Sequence, residues 1–288
     1  MAAQPAVIRK KRNGAAGVRS AAAPEPRVAQ DLKAWCGDPN FMTSLARGLA
    51  VIRAFSQQHR SQTIAQLSQA TGIPRAAVRR CLYTLAQLGY VGASERSFSL
   101  RPKILTLGHA YLSSTPLAVS AQQYLDQVNA AVHESCSLAI LDEDEVMYVA
   151  RSTATTRIMS IDLKPGSRLP AYCSSIGRVL LAQLPPEELK RYFARTRLRA
   201  HTERTVTSRE KLLQVIDAVR RQGYALVDQE LEVGLRSIAV PVLDARGRAV
   251  AAMNVGAHAA RVSVRALETE VLRHLRAAAA ELGALLPA

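Results

Sequence analysis

Arg75 and Arg79 stand four residues apart, Tyr83 follows four residues later, and Arg80 adds a further cation. On a helix this spacing projects Arg75, Arg79 and Tyr83 from one side. Val78, Cys81, Leu82, Leu85 and Leu88 then form a stripe for burial on another side. Such guanidinium groups suit duplex DNA, because arginine bonds guanine in bidentate fashion in the major groove while its neighbours anchor to phosphate. Arg75 and Arg79 are the candidates for reading bases, and Arg80 and Tyr83 for holding the backbone. Arg96 and Ser97 sit in a polar turn between two short extended runs and are placed to touch an adjacent groove. The competing reading is a structural three-helix bundle with a solvated basic face.

A second constellation suits a small anion. Ser174, Ser175 and Gly177 lie at a helix start, where unpaired backbone N–H groups and the positive end of the dipole favour a carboxylate. Ordinary serine capping explains the same residues. Arg151 or Arg157 would neutralise a further carboxylate, although surface exposure is the default for either.

Catalytic constellations are lacking. There is no phosphate loop, no Gly-x-Gly-x-x-Gly run, no His-Glu-x-x-His helix and no Gly-x-Ser-x-Gly elbow. The six histidines are scattered, and the four cysteines stand apart with no Cys-x-x-Cys pair, so no metal or cofactor is expected. The run Asp142-Glu143-Asp144-Glu145 reads as a solvated hairpin turn ahead of a cation site. Cys173, near a helix start, is a core or pocket residue ahead of a reactive thiol. An enzyme of unknown reaction remains the minor alternative, beside a metabolite sensor without DNA function.

The elements around these residues divide the chain. Residues 1–103 carry sixteen Lys plus Arg against four Asp plus Glu, a net of +12, and the remainder carries a net of +3. The basic third favours a phosphate polyanion. Residues 1–40, with Arg9-Lys10-Lys11-Arg12, read as a disordered basic tail. Helices follow from Thr43, with Leu45, Leu49, Ile52 and Phe55 on one face; from Thr63 as a cap to Thr71-Gly72; and from Ile73-Pro74 onward. A hairpin closes this unit, giving a winged helix-turn-helix over 41–101 and a linker helix over 102–116. Residues 117–288 read as an α+β domain: a helix to about 133, strands near 135–141 and 145–151, helices near 175–183, 186–194 and 208–222, strands near 224–228, 236–243 and 249–256, and a last helix over 264–284. No apolar run is long and uninterrupted enough for a membrane span or a signal peptide, so a cytoplasmic protein is expected.

Three stretches carry a family resemblance: Ser44 to Ile52, Thr63 to Arg75, and Leu88-Gly89-Tyr90-Val91 resemble the helix-turn-helix of IclR-type bacterial regulators. Leu169 to Ala182 and Gly234 to Val242 are similar to the effector domain of that family. The resemblance covers about residues 43–284 and implies a GAF-like effector domain with a central antiparallel sheet. It also implies a pocket at Ser174, Ser175, Ile176, Gly177, Val227, Ser237 and Asn254. Val227 stands where many members carry Asp or Ser, which disfavours a very polar oxoacid such as glyoxylate. Tyr224 to Ser237 is similar to the subgroup that controls aromatic-acid breakdown through the β-ketoadipate pathway. The implied effectors are protocatechuate, 4-hydroxybenzoate or β-ketoadipate. The implied partners are a palindromic DNA operator, further copies in a homodimer or homotetramer, and RNA polymerase in the case of an activator.

Overall fold

The computed structural model describes residues 35, 37–56, 59–154 and 163–286. Most of the basic tail, Cys36 and Arg157 lie outside the described residues. The chain divides into two compact units, residues 1–106 and 107–288.

The first unit runs α1 (Thr43–Arg53), β1 (Ser61–Gln62), α2 (Ile64–Thr71), α3 (Arg75–Gln87), β2 (Val91–Ser94) and β3 (Ser97–Leu100), with strand order β1-β3-β2. Local chemistry sets these boundaries. Thr63 accepts the Gln66 N–H at 3.2 Å while its own N–H donates to the Gln66 side chain at 2.8 Å, a capping box that opens α2. Gly72, at φ +70°, ends the same helix in the left-handed region, where a glycine carries no Cβ penalty. Pro74 then stands as the residue before α3 and is not its first helical residue. Val51, Leu67, Val78, Leu82 and Val91 form the core of the unit.

The apolar face of α1 is only partly covered. Ala50 and Val51 are buried, Ile52 and Phe55 are half-buried against the same core, and Leu45 and Leu49 are 57% and 50% exposed. A three- and four-residue spacing identifies a helical face, but the neighbour that covers it is a tertiary matter.

A 3-10 turn (Pro102–Ile104) leads into α4 (Leu105–Ser114), which crosses the boundary between the units. The second unit then contains α5 (Pro116–Val132), β4 (Ser135–Asp142), β5 (Glu145–Ser152), β6 (Arg168–Pro170), α6 (Ser175–Gln183), α7 (Pro186–Arg195), α8 (Arg209–Gln222), β7 (Ala225–Asp228), β8 (Leu235–Leu243), β9 (Ala249–His258) and α9 (Leu272–Ala284). A helical turn at Val264–Ala266 and a π-helical stretch at Leu267–Val271 precede α9, so the last helix is not one regular rod. The six strands pair antiparallel in the order β6-β5-β4-β9-β8-β7.

Alternation along the strands gives this sheet two buried faces. Leu138, Ile238, Val240, Met253 and Val255 pack against α5 and α9. Ala139, Ala225, Ala239 and Ala252 share the other core with residues of α6, α7 and α8. Small side chains on that face leave room for close helix approach, and every residue from Ser175 to Ala182 of α6 is buried. Gly177 is the tightest point, because an added Cβ would lie 2.1 Å from the Ala171 carbonyl oxygen.

Two variants test this packing. Thr63→Ala removes the capping box and is expected to lower the stability of the first unit by about 1 kcal/mol. Gly177→Ala forces a backbone shift and is expected to cost the second unit about 1–3 kcal/mol. Denaturant midpoints at unchanged slope would check both, and wild-type midpoints would contradict the assignments.

Candidate functional sites

The basic face of α3 is presented to solvent. Arg75, Arg79, Arg80 and Tyr83 are all exposed, Tyr83 to 67%. None of the three arginines has a carboxylate partner among the described residues. Val78, Leu82 and Leu85 are buried beneath them. Arg96 is exposed in the two-residue turn between β2 and β3, where Glu95 adopts φ +47°. Ser97 differs from its neighbour, since it is half-buried at the start of β3 and its hydroxyl donates to the Ser94 carbonyl at 3.2 Å. The geometry brings Arg75, Arg79 and Tyr83 to one helix side and places Arg96 and Ser97 on the hairpin.

The second site is a cavity on the alanine-rich face of the large sheet. Strand register assembles its floor. Arg151 of β5 is paired with Ser137 of β4, and Ser137 with Asn254 of β9. Further along, Gly256 of β9 is paired with Ser237 of β8, and Ser237 with Val227 of β7. Directly opposed residues share a sheet face. All six of these, with Ser174 and Ser175 from the start of α6, line one cavity enclosing ≈ 530 Å³ of space free of protein atoms, its open mouth included. Tyr148, Leu163, Leu169, Cys173, Leu231 and Leu235 complete the wall. Its mostly apolar lining with a few convergent polar groups has the composition of a small-ligand site.

Ser174, Ser175, Val227, Ser237 and Asn254 therefore converge as the sequence suggests. Ile176 and Gly177 do not line the space. The Ile176 side chain is fully buried in the core beneath α6, and Gly177 is pressed against Ala171. The Gly177 N–H is also taken by the Ser174 side chain at 3.2 Å, so that part of the helix start is capped from within. Arg151 departs from its surface default: it is half-buried in the cavity wall and donates to Ser137 Oγ at 3.0 Å. The place of Ser137 and Arg151 in this wall follows from strand register, which the sequence alone does not display.

Two polar atoms in this wall have no partner. Ser175 Oγ and Asn254 Oδ1 are buried and make no hydrogen bond. The thiol of Cys173 is pushed up to about 12 by burial, partly offset by the charge of Arg178, so it is a neutral lining group at physiological pH and not a nucleophile. Burial likewise raises the Tyr148 phenol, which stays protonated. The acidic turn between β4 and β5 is occupied from within the chain, because Arg168 bonds both Asp142 and Glu145.

Comparison with known proteins identifies the family. The model of the IclR helix-turn-helix domain matches residues 44–94, and that of the bacterial transcriptional regulator IclR C-terminal region matches residues 109–284. The Pca regulon regulatory protein of Pseudomonas putida is 54% identical over 266 residues, 91% of either chain. A transcriptional regulator of Rhodococcus sp. RHA1 has a crystal structure that superposes with a TM-score of 0.75 at 45% identity, covering 84% of this chain and 97% of that one. A double mutant of the PobR inducer-binding domain from Acinetobacter, solved with 3-hydroxybenzoic acid, superposes at 0.55 with 37% identity, covering 58% of this chain and 97% of the domain. These matches have one common meaning: the chain belongs to the IclR family of bacterial transcriptional regulators.

Proposed function

We propose that this regulator controls a set of genes for aromatic-acid breakdown and that the cavity over the sheet takes a small carboxylate of the protocatechuate, 4-hydroxybenzoate or β-ketoadipate class. The observation that carries this reading is the pair of unpartnered buried atoms, Ser175 Oγ and Asn254 Oδ1, in the same wall as the Arg151 guanidinium. A buried polar group left unpaired costs about 1–3 kcal/mol, which a ligand able to bond it recovers. Arg151 supplies the charge for a carboxylate. Val227, Leu231 and Leu235 supply apolar surface for a carbon skeleton. The effector-bound Acinetobacter domain and the Pseudomonas relative support the same class.

In this proposal Arg75 and Arg79 read base edges in the major groove, and Arg80, Tyr83, Arg96 and Ser97 hold backbone or the neighbouring groove. Two or four copies act on a palindromic operator in the cytoplasm, with RNA polymerase as a further partner where transcription is activated. The exposure of the α3 arginines and the strongly basic first third of the chain support the DNA assignment.

Arg75→Ala and Arg79→Ala are each expected to lower operator affinity by about 1–3 kcal/mol and to erase discrimination against a mismatched site, with effector affinity unchanged. Retained footprints in both variants would contradict the assignment. Ser237→Ala and Asn254→Ala are expected to weaken effector binding by about 1–3 kcal/mol in calorimetric titration, and Arg151→Gln by at least as much. Wild-type isotherms in all three would remove these residues from the site.

A further inference from the structure

Behind the cavity wall, out of contact with the cavity itself, Arg178 of α6 makes a buried ion pair with Glu230. Its two terminal nitrogens each donate to one carboxylate oxygen at 2.6 Å. Its Nε donates to the Tyr172 carbonyl at 2.9 Å. Glu230 is engaged from the other side as well: the Val206 N–H donates to its carboxylate at 3.0 Å, and the Thr205 hydroxyl donates to its backbone carbonyl at 2.5 Å. The Arg178 side chain is 3% exposed and that of Glu230 10%.

The anchors fall next to wall residues. Tyr172 precedes Cys173 and Ser174, Arg178 lies one helical turn after Ser175, and Glu230 precedes Leu231, so a single guanidinium joins two wall segments whose linked residues, Arg178 and Glu230, are 52 positions apart in sequence. Stability alone is a poor reason for such a group. Desolvating two charges costs several kcal/mol each, and well-packed apolar residues of similar volume often stabilise as much or more. What apolar packing lacks is direction. A planar fork with a third donor at Nε fixes three acceptors in relative position, a demand that a lysine, with one point of charge on a flexible stem, does not meet.

Resting on the reading of the cavity as the effector site, we infer that Arg178 is a positioning residue for effector binding. It sets the spacing between the Cys173–Ser175 wall and the 229–234 loop, and so determines which acid fits. It touches no ligand and acts through Tyr172, Glu230 and the segments they carry.

The test uses the full-length protein with Arg178→Lys and, as an isosteric alternative, Glu230→Gln. Hydrogen–deuterium exchange without ligand is expected to rise at residues 172–175 and 229–234 in both variants, while β8, β9 and α3 keep wild-type protection. Calorimetry with protocatechuate, 4-hydroxybenzoate and β-ketoadipate is expected to show at least a tenfold loss for the best wild-type ligand and a changed order of preference among the three. Ligand-free operator binding is expected to be unchanged. Wild-type exchange at both wall segments would overturn the inference, as would a loss of protection spread evenly over β8 and β9, which marks a structural role only. Unchanged affinities and order would overturn it too. If the wild type binds none of the three acids, the effector assignment fails, and the exchange pattern still decides whether Arg178 fixes the walls.

Discussion

Both faces of the six-stranded sheet are covered by helices, and this double burial is the constraint from which the properties of the second unit follow. A polar group on a strand within such a sandwich has no access to bulk water, so it must find a partner in the protein or receive one from a ligand. Most strand positions satisfy the constraint by being apolar. Ser137, Arg151, Ser237 and Asn254 break the pattern on one face, and the pairing register gathers them into two adjacent rows. Arg151 and Ser137 satisfy each other in part, whereas Asn254 Oδ1 has nothing. The cavity is therefore a consequence of register and of the polar exceptions in it.

Directional bonds hold the loops around that floor. Arg236 bonds Asp228 at 2.7 Å and also donates to the Val262 carbonyl at 2.8 Å, which fixes the end of β7 before the 229–234 loop departs. The Arg236 hydrogen bond holds the Asp228 carboxyl below the usual carboxylate range. The stabilisation from this shift is present above the unfolded-state pKa of an aspartate and is lost as pH falls through the lower folded value. Tyr172 pins the segment after α7 by donating to the Arg199 carbonyl at 2.7 Å and accepting its N–H at 3.1 Å. These contacts make the cavity rim an ordered structure with several anchors besides the buried Arg178–Glu230 pair.

Sequence exposed the architecture well because its determinants are local. The Thr63 capping box, the Gly72 stop and the alternation in the strands are short-range patterns, and each element they mark exists within a residue or two of its expected limits. The pocket was legible at the Ser174–Ser175 cap from local chemistry, and at Val227, Ser237 and Asn254 only through the family resemblance. Arg151 and Ser137 needed the strand register, which is a tertiary property, and the partnership of Arg178 with Glu230 spans fifty-two positions with no local trace. Ile176 and Gly177 look like neighbours of the site in sequence, yet one faces the core and the other a backbone. The covered side of α1 has no local mark for a related reason: Leu45 and Leu49 share a face with Ile52, but the helix meets its neighbours through Ala50 and Val51.

The central claim is that a small acid completes the hydrogen bonding of a wall that the polypeptide leaves incomplete. A crystal structure of the protein grown with protocatechuate tests it most directly. The account predicts carboxylate density against the Arg151 guanidinium, with the ligand also bonded to Asn254 and Ser175. Density elsewhere in the molecule, with both of those side chains still unpaired beside an empty cavity, would contradict it.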